Sequence, residues 1–148
     1  MSGEPSGRLV GRTHYFPVRV YFADTDAAGM VYHATYFEFA ERARTEMMRI
    51  VGFNHADLRK RLGLLLGVRA CDAEYLRAAR LDDLLEVRSN LEELAGASMR
   101  LRQDVWRGDE EIARMTIRLA CIGADGKPAR IPDEMRESIQ DYLTAEAI

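Results

Sequence analysis

The chain has 148 residues, of which 47% are hydrophobic and 30% charged, and its formal net charge is -3. These proportions are typical of one globular domain and exclude a disordered chain, and the slightly acidic balance argues against nucleic-acid binding through positive charge. No apolar run is long enough to span a membrane, and the N-terminus lacks the regions of a signal peptide. We therefore expect a cytoplasmic protein with no membrane span and no nucleic-acid partner.

The N-terminal part is predicted to be a lead-in followed by one domain. Residues 1–13 carry Gly, Pro and Ser without periodicity, which predicts a flexible segment, and residues 14–148 form the single predicted domain. Residues 18–22 alternate between apolar and other side chains, which predicts a short strand with one apolar face. That face would carry Val18, Val20 and Phe22.

A long amphipathic helix is predicted for residues 35–51. Apolar side chains recur there at spacings of three and four residues, which places them on one stripe of a helix. Thr35 and Glu38 form the sequence pattern of a capping box, and Gly52 follows where a left-handed C-cap is expected. The stripe consists of Tyr36, Ala40, Ala43, Met47 and Ile50, and the expected surface charges outside it are Glu41, Arg44 and Glu46.

From residue 64 onward the apolar pattern changes to a period of two. Four such runs are separated by short Gly-containing turns, which predicts an antiparallel meander. Pro132 and the acids that follow it are typical of a helix start. The prediction is therefore an α+β fold with a five-stranded antiparallel sheet, one long helix packed on it and a short C-terminal helix. The four runs are 68–75, 85–91, 99–105 and 113–119.

One helix covers only one face of such a sheet, and the outer face carries apolar or aromatic positions at Cys71, Tyr75 and Trp106. We therefore expect a second subunit to cover that face. Cys71 and Cys121 lie in predicted strands without Cys-x-x-Cys spacing. They are expected to be reduced core residues rather than a disulfide or a zinc site.

Residues 23–36, between the first strand and the long helix, are the strongest candidate for chemistry. Asp24, Asp26, Gly29 and His33 all precede the helix within this segment. Unpaired N–H groups at a helix start can stabilise a developing oxyanion, and a carboxylate nearby can act as nucleophile or as general base on water. The same residue types are common in turns and caps, so spacing alone leaves catalysis open.

Other sites with similar residues do not fit this segment. A haloacid-dehalogenase-type phosphatase needs Thr or Val at position 28, where this chain has Ala, and an EF-hand loop needs oxygen ligands at positions 28 and 35 that Ala28 and Thr35 do not match. A metal site built from Asp24, Asp26 and His33 lacks a second histidine at helical spacing. No serine stands in a Gly-x-Ser-x-Gly elbow. We expect no metal.

The string Asp-x-Asp-x-x-Gly-x-Val-x-His-x-x-Tyr over residues 24–36, preceded by residues 18–21, resembles the signature of the 4-hydroxybenzoyl-CoA thioesterase family. Within that family it is most similar to the YbgC branch, the acyl-CoA thioesterases associated with the Tol–Pal system. Residues 41–47 and 79–86 are also similar to that branch, so the resemblance extends over nearly all of the chain after residue 16.

The resemblance implies a hotdog fold, in which an antiparallel sheet wraps around a long helix. It also implies a homodimer or homotetramer with active sites at a subunit interface. The implied activity is hydrolysis of an acyl-CoA thioester to the free acid and CoA, without metal or organic cofactor, and acyl carrier protein is an alternative carrier. Two other functions stay open: a hotdog 3-hydroxyacyl-thioester dehydratase, and a non-catalytic protein that binds acyl thioesters or a Tol–Pal partner.

Roles follow from position in the motif. The resemblance makes Asp26 the catalytic carboxylate, as nucleophile or general base, and His33 a second catalytic residue that assists proton transfer. A backbone N–H near His33 would polarise the thioester carbonyl. Gly29 and Tyr32 would position the substrate, and Asp24 would shape the loop.

The chain departs from the branch in two places. Residues 74–80 contain no proline, and Ala28 replaces the second glycine of some relatives. Both changes leave the acyl preference open. The CoA phosphates need basic partners. The candidates, among which the sequence does not choose, are Arg69, Arg77, Arg80, Arg100, Arg102 and Lys127.

Overall fold

A computed structural model describes residues 5–143, with six antiparallel strands in one sheet. The strands are β1 (Arg8–Val10), β2 (Thr13–Arg19), β3 (Leu65–Tyr75), β4 (Leu84–Leu94), β5 (Ser98–Arg107) and β6 (Glu110–Ile122). The helices are α1 (Thr35–Ile50), α2 (His55–Asp57) and α3 (Asp133–Leu143), with a 3-10 turn at Phe22–Asp24 and a π-helical turn at Leu58–Leu62. The strand order is β1-β2-β4-β5-β6-β3, so the chain crosses from β2 through α1 to β3 at the opposite edge and then returns to β4, beside β2.

The predicted α+β architecture is confirmed. β4, β5 and β6 alternate between buried and partly exposed residues, and their buried faces pack with α1 in one core. The predicted long helix is present and ends one residue earlier than expected. Its buried apolar positions are Tyr36, Phe39, Ala40, Ala43, Met47 and Met48.

The sheet has six strands rather than the predicted five, because β1 pairs with β2 in the segment expected to be a flexible lead-in. Two further contacts hold this segment. The Ser6 hydroxyl donates to Glu46 on α1 at 2.8 Å, and the backbone carbonyl of Ser6 is 2.7 Å from Nε2 of the buried His14. Residues 1–4 of the predicted lead-in and residues 144–148 of the predicted domain lie outside the described residues.

The first core strand lies earlier than the alternation over residues 18–22 predicted. β2 ends at Arg19, and a 3-10 turn follows it. The two valines of the predicted face are buried, but Phe22 is 81% exposed. The cause is local, because the Tyr21 N–H donates to the Asp24 carboxylate at 2.8 Å and turns the chain away from the sheet.

The start of α1 differs from the predicted capping box. Ala34 occupies the N-cap position and no side chain caps the helix, while Thr35 is its first residue and is buried. The helix therefore begins with Thr35 itself, one position after its N-cap. The predicted left-handed end is confirmed, because Gly52 has a φ of 101° just after the helix.

A buried polar network joins α1 to the sheet. Arg44, which was expected at the helix surface, is buried and donates to Gln103 Oε1 at 3.2 Å. Gln103 Nε2 in turn donates to the Ala40 carbonyl at 3.0 Å and to the Ser89 hydroxyl at 2.9 Å. Burial lowers the pKa of Arg44, with Glu41 acting in the opposite direction. Partners from β4 and β5 make this burial possible, and no local pattern reveals them.

The two cysteines are free and differ in exposure. Cys121 on β6 is buried, as predicted, but Cys71 on β3 is exposed. The reason is that β3 lies at an edge of the sheet, paired only with β6, and is largely exposed along its length. Within residues 5–143, no helix has the length and apolar character needed to cross a membrane.

Candidate active site

The loop between β2 and α1 folds back on itself around Asp26. The Asp26 N–H donates to the Met30 carbonyl at 2.8 Å, and the Gly29 N–H donates to the Asp26 carbonyl at 3.0 Å. The carboxylate takes part as well, since Oδ1 accepts from the Ala28 N–H at 2.9 Å and from the Met30 N–H at 3.4 Å. Oδ2 has no hydrogen-bond partner among residues 5–143. One carboxylate oxygen is therefore fixed by the loop, and the other is available for chemistry.

Gly29 is needed here for its backbone conformation. Its φ is 81°, in the left-handed region that side chains with a Cβ rarely adopt. Space is not the constraint, because a Cβ built at this position would meet nothing within 4 Å among residues 5–143.

Asp24 has the contacts of a loop-shaping residue. Its carboxylate accepts from the Tyr21 N–H at 2.8 Å, and its carbonyl accepts from the Tyr32 N–H at 3.0 Å. Both bonds fix the path of the chain on its way to α1. Asp24 thus stabilises the conformation of the loop that carries Asp26.

His33 is an exposed residue two positions before α1. Its ring centroid lies 4.4 Å from that of Tyr32. The N–H groups of His33 and Ala34 donate no hydrogen bond within the described part of the chain. They lie at the positive end of the helix dipole, so they can stabilise a negative charge that develops next to them.

Asp26 and His33 line two neighbouring cavities. Asp26 and Gly29 line one of about 620 Å³, and His33 lines another of about 300 Å³. Tyr32 lines neither of the two. No hydrogen bond joins Asp26 to His33 within residues 5–143. None of the residues that line one cavity lines the other, but neighbours in the chain are divided between them: Gly29 lines the Asp26 cavity, and Met30 lines the His33 cavity.

Tyr75 belongs to the His33 cavity, which the sequence did not indicate. Its hydroxyl donates to the His33 carbonyl at 2.8 Å, and its ring centroid is 5.4 Å from that of Tyr36. Burial raises the pKa of Tyr75 and that of Tyr36, which is the more deeply buried of the two, so both hydroxyls keep their protons. The period-two pattern had assigned Tyr75 to the outer face, where it was expected to contact a second subunit.

Arg77 also lines the His33 cavity. Its guanidinium donates to the Glu111 carbonyl at 3.2 Å and lies 3.6 Å from the Glu110 carboxylate, and its side chain is 54% exposed. Arg102, another predicted phosphate ligand, lines a separate cavity on the outer face of the sheet and pairs with Asp104 at 2.8 Å. Among the basic candidates, Arg77 is therefore well placed to meet a ligand that enters beside His33.

Asp83 and Arg107 form an ion pair next to Ala78, which lines the His33 cavity. Arg107 donates to the Asp83 carboxylate at 2.8 Å and to the Ala78 carbonyl at 3.1 Å, which fixes the segment after β3. Burial alone would raise the pKa of Asp83, but the Arg80 N–H and the Arg107 guanidinium outweigh it and lower that pKa. In the described residues, no group of three or more His, Cys, Asp or Glu side chains is arranged to hold a metal ion.

Comparison with known proteins agrees with this arrangement. The sequence profile of the thioesterase-like superfamily matches residues 20–139. The acyl-CoA thioesterase YbgC of Haemophilus influenzae is 40% identical over 122 residues, which is 82% of this chain and 90% of that protein. The acyl-CoA thioester hydrolase YbgC of Escherichia coli is 45% identical over 91 residues, which is 61% of this chain and 66% of that protein.

A solved structure extends the likeness to three dimensions. The crystal structure of a probable thioesterase from Bartonella henselae superposes with a TM-score of 0.78 at 37% sequence identity. The match covers 81% of this chain and 99% of that chain. Profile, sequence and structure agree: this chain belongs to the thioesterase-like superfamily.

Proposed function

We propose that this protein is an acyl-CoA thioesterase, which hydrolyses an acyl-CoA thioester to the free acid and CoA. Membership of the thioesterase-like superfamily makes thioester hydrolysis the expected reaction, and the names of the YbgC relatives point to acyl-CoA. The supporting observation is that Asp26 Oδ2 has no hydrogen-bond partner in the described chain and lies on the loop leading into α1, where the N–H groups of His33 and Ala34 also have no partner among the described residues.

In this proposal the thioester carbonyl lies between the Asp26 cavity and the His33 cavity. The N–H groups of His33 and Ala34 have no partner in the described chain, so they can donate to the carbonyl oxygen. Donation polarises the C=O bond and stabilises the oxyanion that forms when the carbonyl carbon is attacked. The dipole of α1 adds to this effect.

Asp26 supplies the attack by one of two routes. As a nucleophile, Oδ2 bonds to the carbonyl carbon, the C–S bond breaks, CoA leaves as a thiolate, and water then hydrolyses the mixed anhydride. As a general base, the carboxylate takes a proton from water, the resulting hydroxide attacks the same carbon, and the C–S bond then breaks so that CoA leaves as a thiolate. Both routes end with the free acid and CoA, and both use the oxygen that the loop leaves unpaired.

The other predicted residues have supporting roles. His33, exposed at the mouth of its cavity, gives a proton to the leaving thiolate or exchanges it with solvent. Gly29 sets the conformation of the Asp26 loop, and the ring of Tyr32, packed on His33, positions the substrate. The mechanism requires no metal or organic cofactor.

Arg77 is the proposed partner for the phosphates of CoA. It lines the His33 cavity, and its contacts with Glu111 and Glu110 leave the guanidinium half-exposed. A guanidinium matches phosphate oxygens with paired N–H donors. The phosphopantetheine arm of an acyl carrier protein would bring a single phosphate to the same cavity, so this carrier is the alternative to CoA.

The proposed assembly is a homodimer or homotetramer in the cytoplasm. β3 exposes an unpaired edge of eleven residues that ends at Tyr75, beside the site. Such an edge is a template for pairing with another chain. A second copy on this edge would also shield the His33 cavity from water.

The test is thiol release by the purified protein with short-chain, long-chain and aromatic acyl-CoAs. The proposal predicts release of CoA with at least one class and formation of the matching free acid. An enoyl thioester formed from a 3-hydroxyacyl-CoA, without free thiol, would replace the proposal with a dehydratase. Binding without turnover across the whole panel, and with acyl carrier protein thioesters, would contradict catalysis.

A further inference from the structure

We propose that Tyr75 is a positioning residue for the carbonyl-binding N–H groups at the start of α1. This inference rests on the proposed function and adds a residue that the sequence motif does not contain. Tyr75 is the last residue of β3, and its hydroxyl donates to the His33 carbonyl at 2.8 Å across 42 positions of the chain. The bond ties the end of an edge strand to the two residues before the helix.

The position of the His33 carbonyl determines the orientation of the proposed N–H donors. The peptide group is planar and trans, so a fixed His33 carbonyl fixes the direction of the Ala34 N–H in the same unit. The same bond restrains the backbone of His33, whose own N–H is the neighbouring donor. No other hydrogen bond to this carbonyl is present in the described part of the chain. Tyr75 is thus its sole hydrogen-bond restraint there.

The phenol itself is held in place. Its ring packs against Tyr36 at 5.4 Å and meets the His33 ring edge-on at 6.4 Å between centroids. Because burial raises the pKa of Tyr75, its hydroxyl stays protonated and remains a donor at neutral pH. Donors that are fixed before the reaction stabilise an oxyanion at no reorganisation cost. A small displacement of a catalytic group, by contrast, can slow turnover by up to about a hundredfold.

The variant that isolates this role is Tyr75→Phe, which keeps the ring and removes only the hydroxyl. We expect kcat to fall about tenfold or more, with KM for acyl-CoA changed less than about twofold. The melting temperature should stay close to that of the wild type, because the packing is retained. The matched control is Tyr15→Phe, whose ring packs under Arg8 and Arg88 on the outer face and lies away from the site.

A spectroscopic readout separates positioning from a general loss of structure. In the slow Asp26→Asn background, the C=O stretch of a bound acyl-CoA shifts to lower frequency if N–H groups polarise it. Adding Tyr75→Phe should reduce that shift, while adding Tyr15→Phe should not. A Tyr75→Phe protein with wild-type kcat and an unchanged C=O shift would overturn the positioning role and leave the thioesterase function standing. A wild-type protein that cleaves no thioester would overturn both.

Discussion

Asp26 and Met30 close the loop before α1 by bonds in both directions. The Asp26 N–H donates to the Met30 carbonyl at 2.8 Å, and the Met30 N–H reaches Asp26 Oδ1 at 3.4 Å. The carboxylate is therefore oriented by the backbone of its own loop rather than by a distant partner. Such an arrangement presents one oxygen in a fixed direction before substrate binds, which is what a nucleophile or general base requires.

The conformation of this loop depends on Gly29. We expect Gly29→Ala to lower the free energy of unfolding by about 1–2 kcal/mol, because its φ of 81° is unfavourable for alanine. Gly108, in the turn between β5 and β6, is the matched control, since its φ is 60° and a Cβ there also meets nothing within 4 Å. Urea unfolding should show similar losses for both variants, whereas only Gly29→Ala should lose turnover. Equal turnover in the two variants would show that the loop conformation does not matter for catalysis.

Arg77→Gln tests the proposed phosphate contact. A hydrogen bond to a charged group contributes about 1.5–3 kcal/mol, so KM for acyl-CoA should rise roughly tenfold to a hundredfold. KM for the same acyl group on N-acetylcysteamine, which has no phosphate, should not change. Arg114→Gln is the control, because Arg114 lines the outer-face cavity and pairs with Glu111 at 2.7 Å. If Arg77→Gln affects both substrates equally, the guanidinium does not bind the phosphates.

His14 makes stability depend on pH. It is fully buried, its Nδ1 has no hydrogen-bond partner in the described part of the chain, and burial lowers its pKa, while the Ser6 carbonyl and Glu46 act in the opposite direction. The unfolded chain therefore binds a proton more readily than the folded one below a pH of about 6.5. We expect the melting temperature to be constant above that pH and to fall as the pH drops below it.

The variant His14→Gln should show a weaker fall in melting temperature between pH 7 and pH 5 than the wild type. His55→Gln is the control, because His55 is exposed and its ring nitrogen Nε2 lies 3.2 Å from the Thr45 hydroxyl. An unchanged slope in His14→Gln would mean that another group causes the acid sensitivity.

Much of the fold was predictable because its signals are local. The stripe of α1, the left-handed Gly52 after it and the alternation in β4 to β6 each depend on residues a few positions apart. Local reasoning failed where distant partners decide the outcome. Arg44 is buried because Gln103, 59 positions away, accepts its hydrogen bond. Thr35 does not cap α1, because it is the first residue of the helix and Ala34 occupies the N-cap position.

The candidate site was predictable in its motif and not in its surroundings. Spacing alone left Asp26 as a plausible turn residue, and the family resemblance gave it a catalytic role. The sequence places Tyr75 only on the outer face of the sheet, because its contact with His33 requires β3 to lie at the far edge of the sheet and end near the start of α1. The sequence likewise does not reveal that Asp26 and His33 line separate cavities, which are lined by residues of the loop before α1 and of the segment after β3.

Asp26 is the residue on which the proposed thioester hydrolysis depends. The most direct measurement is thiol release by wild type, Asp26→Asn and Asp24→Asn on the best acyl-CoA of the panel. We predict a loss of at least about a hundredfold in kcat for Asp26→Asn, because a catalytic carboxylate is removed. Asp24→Asn should stay within a few-fold of wild type, since an amide oxygen can still accept from the Tyr21 N–H. Near-normal turnover of a folded Asp26→Asn protein would contradict the proposed mechanism.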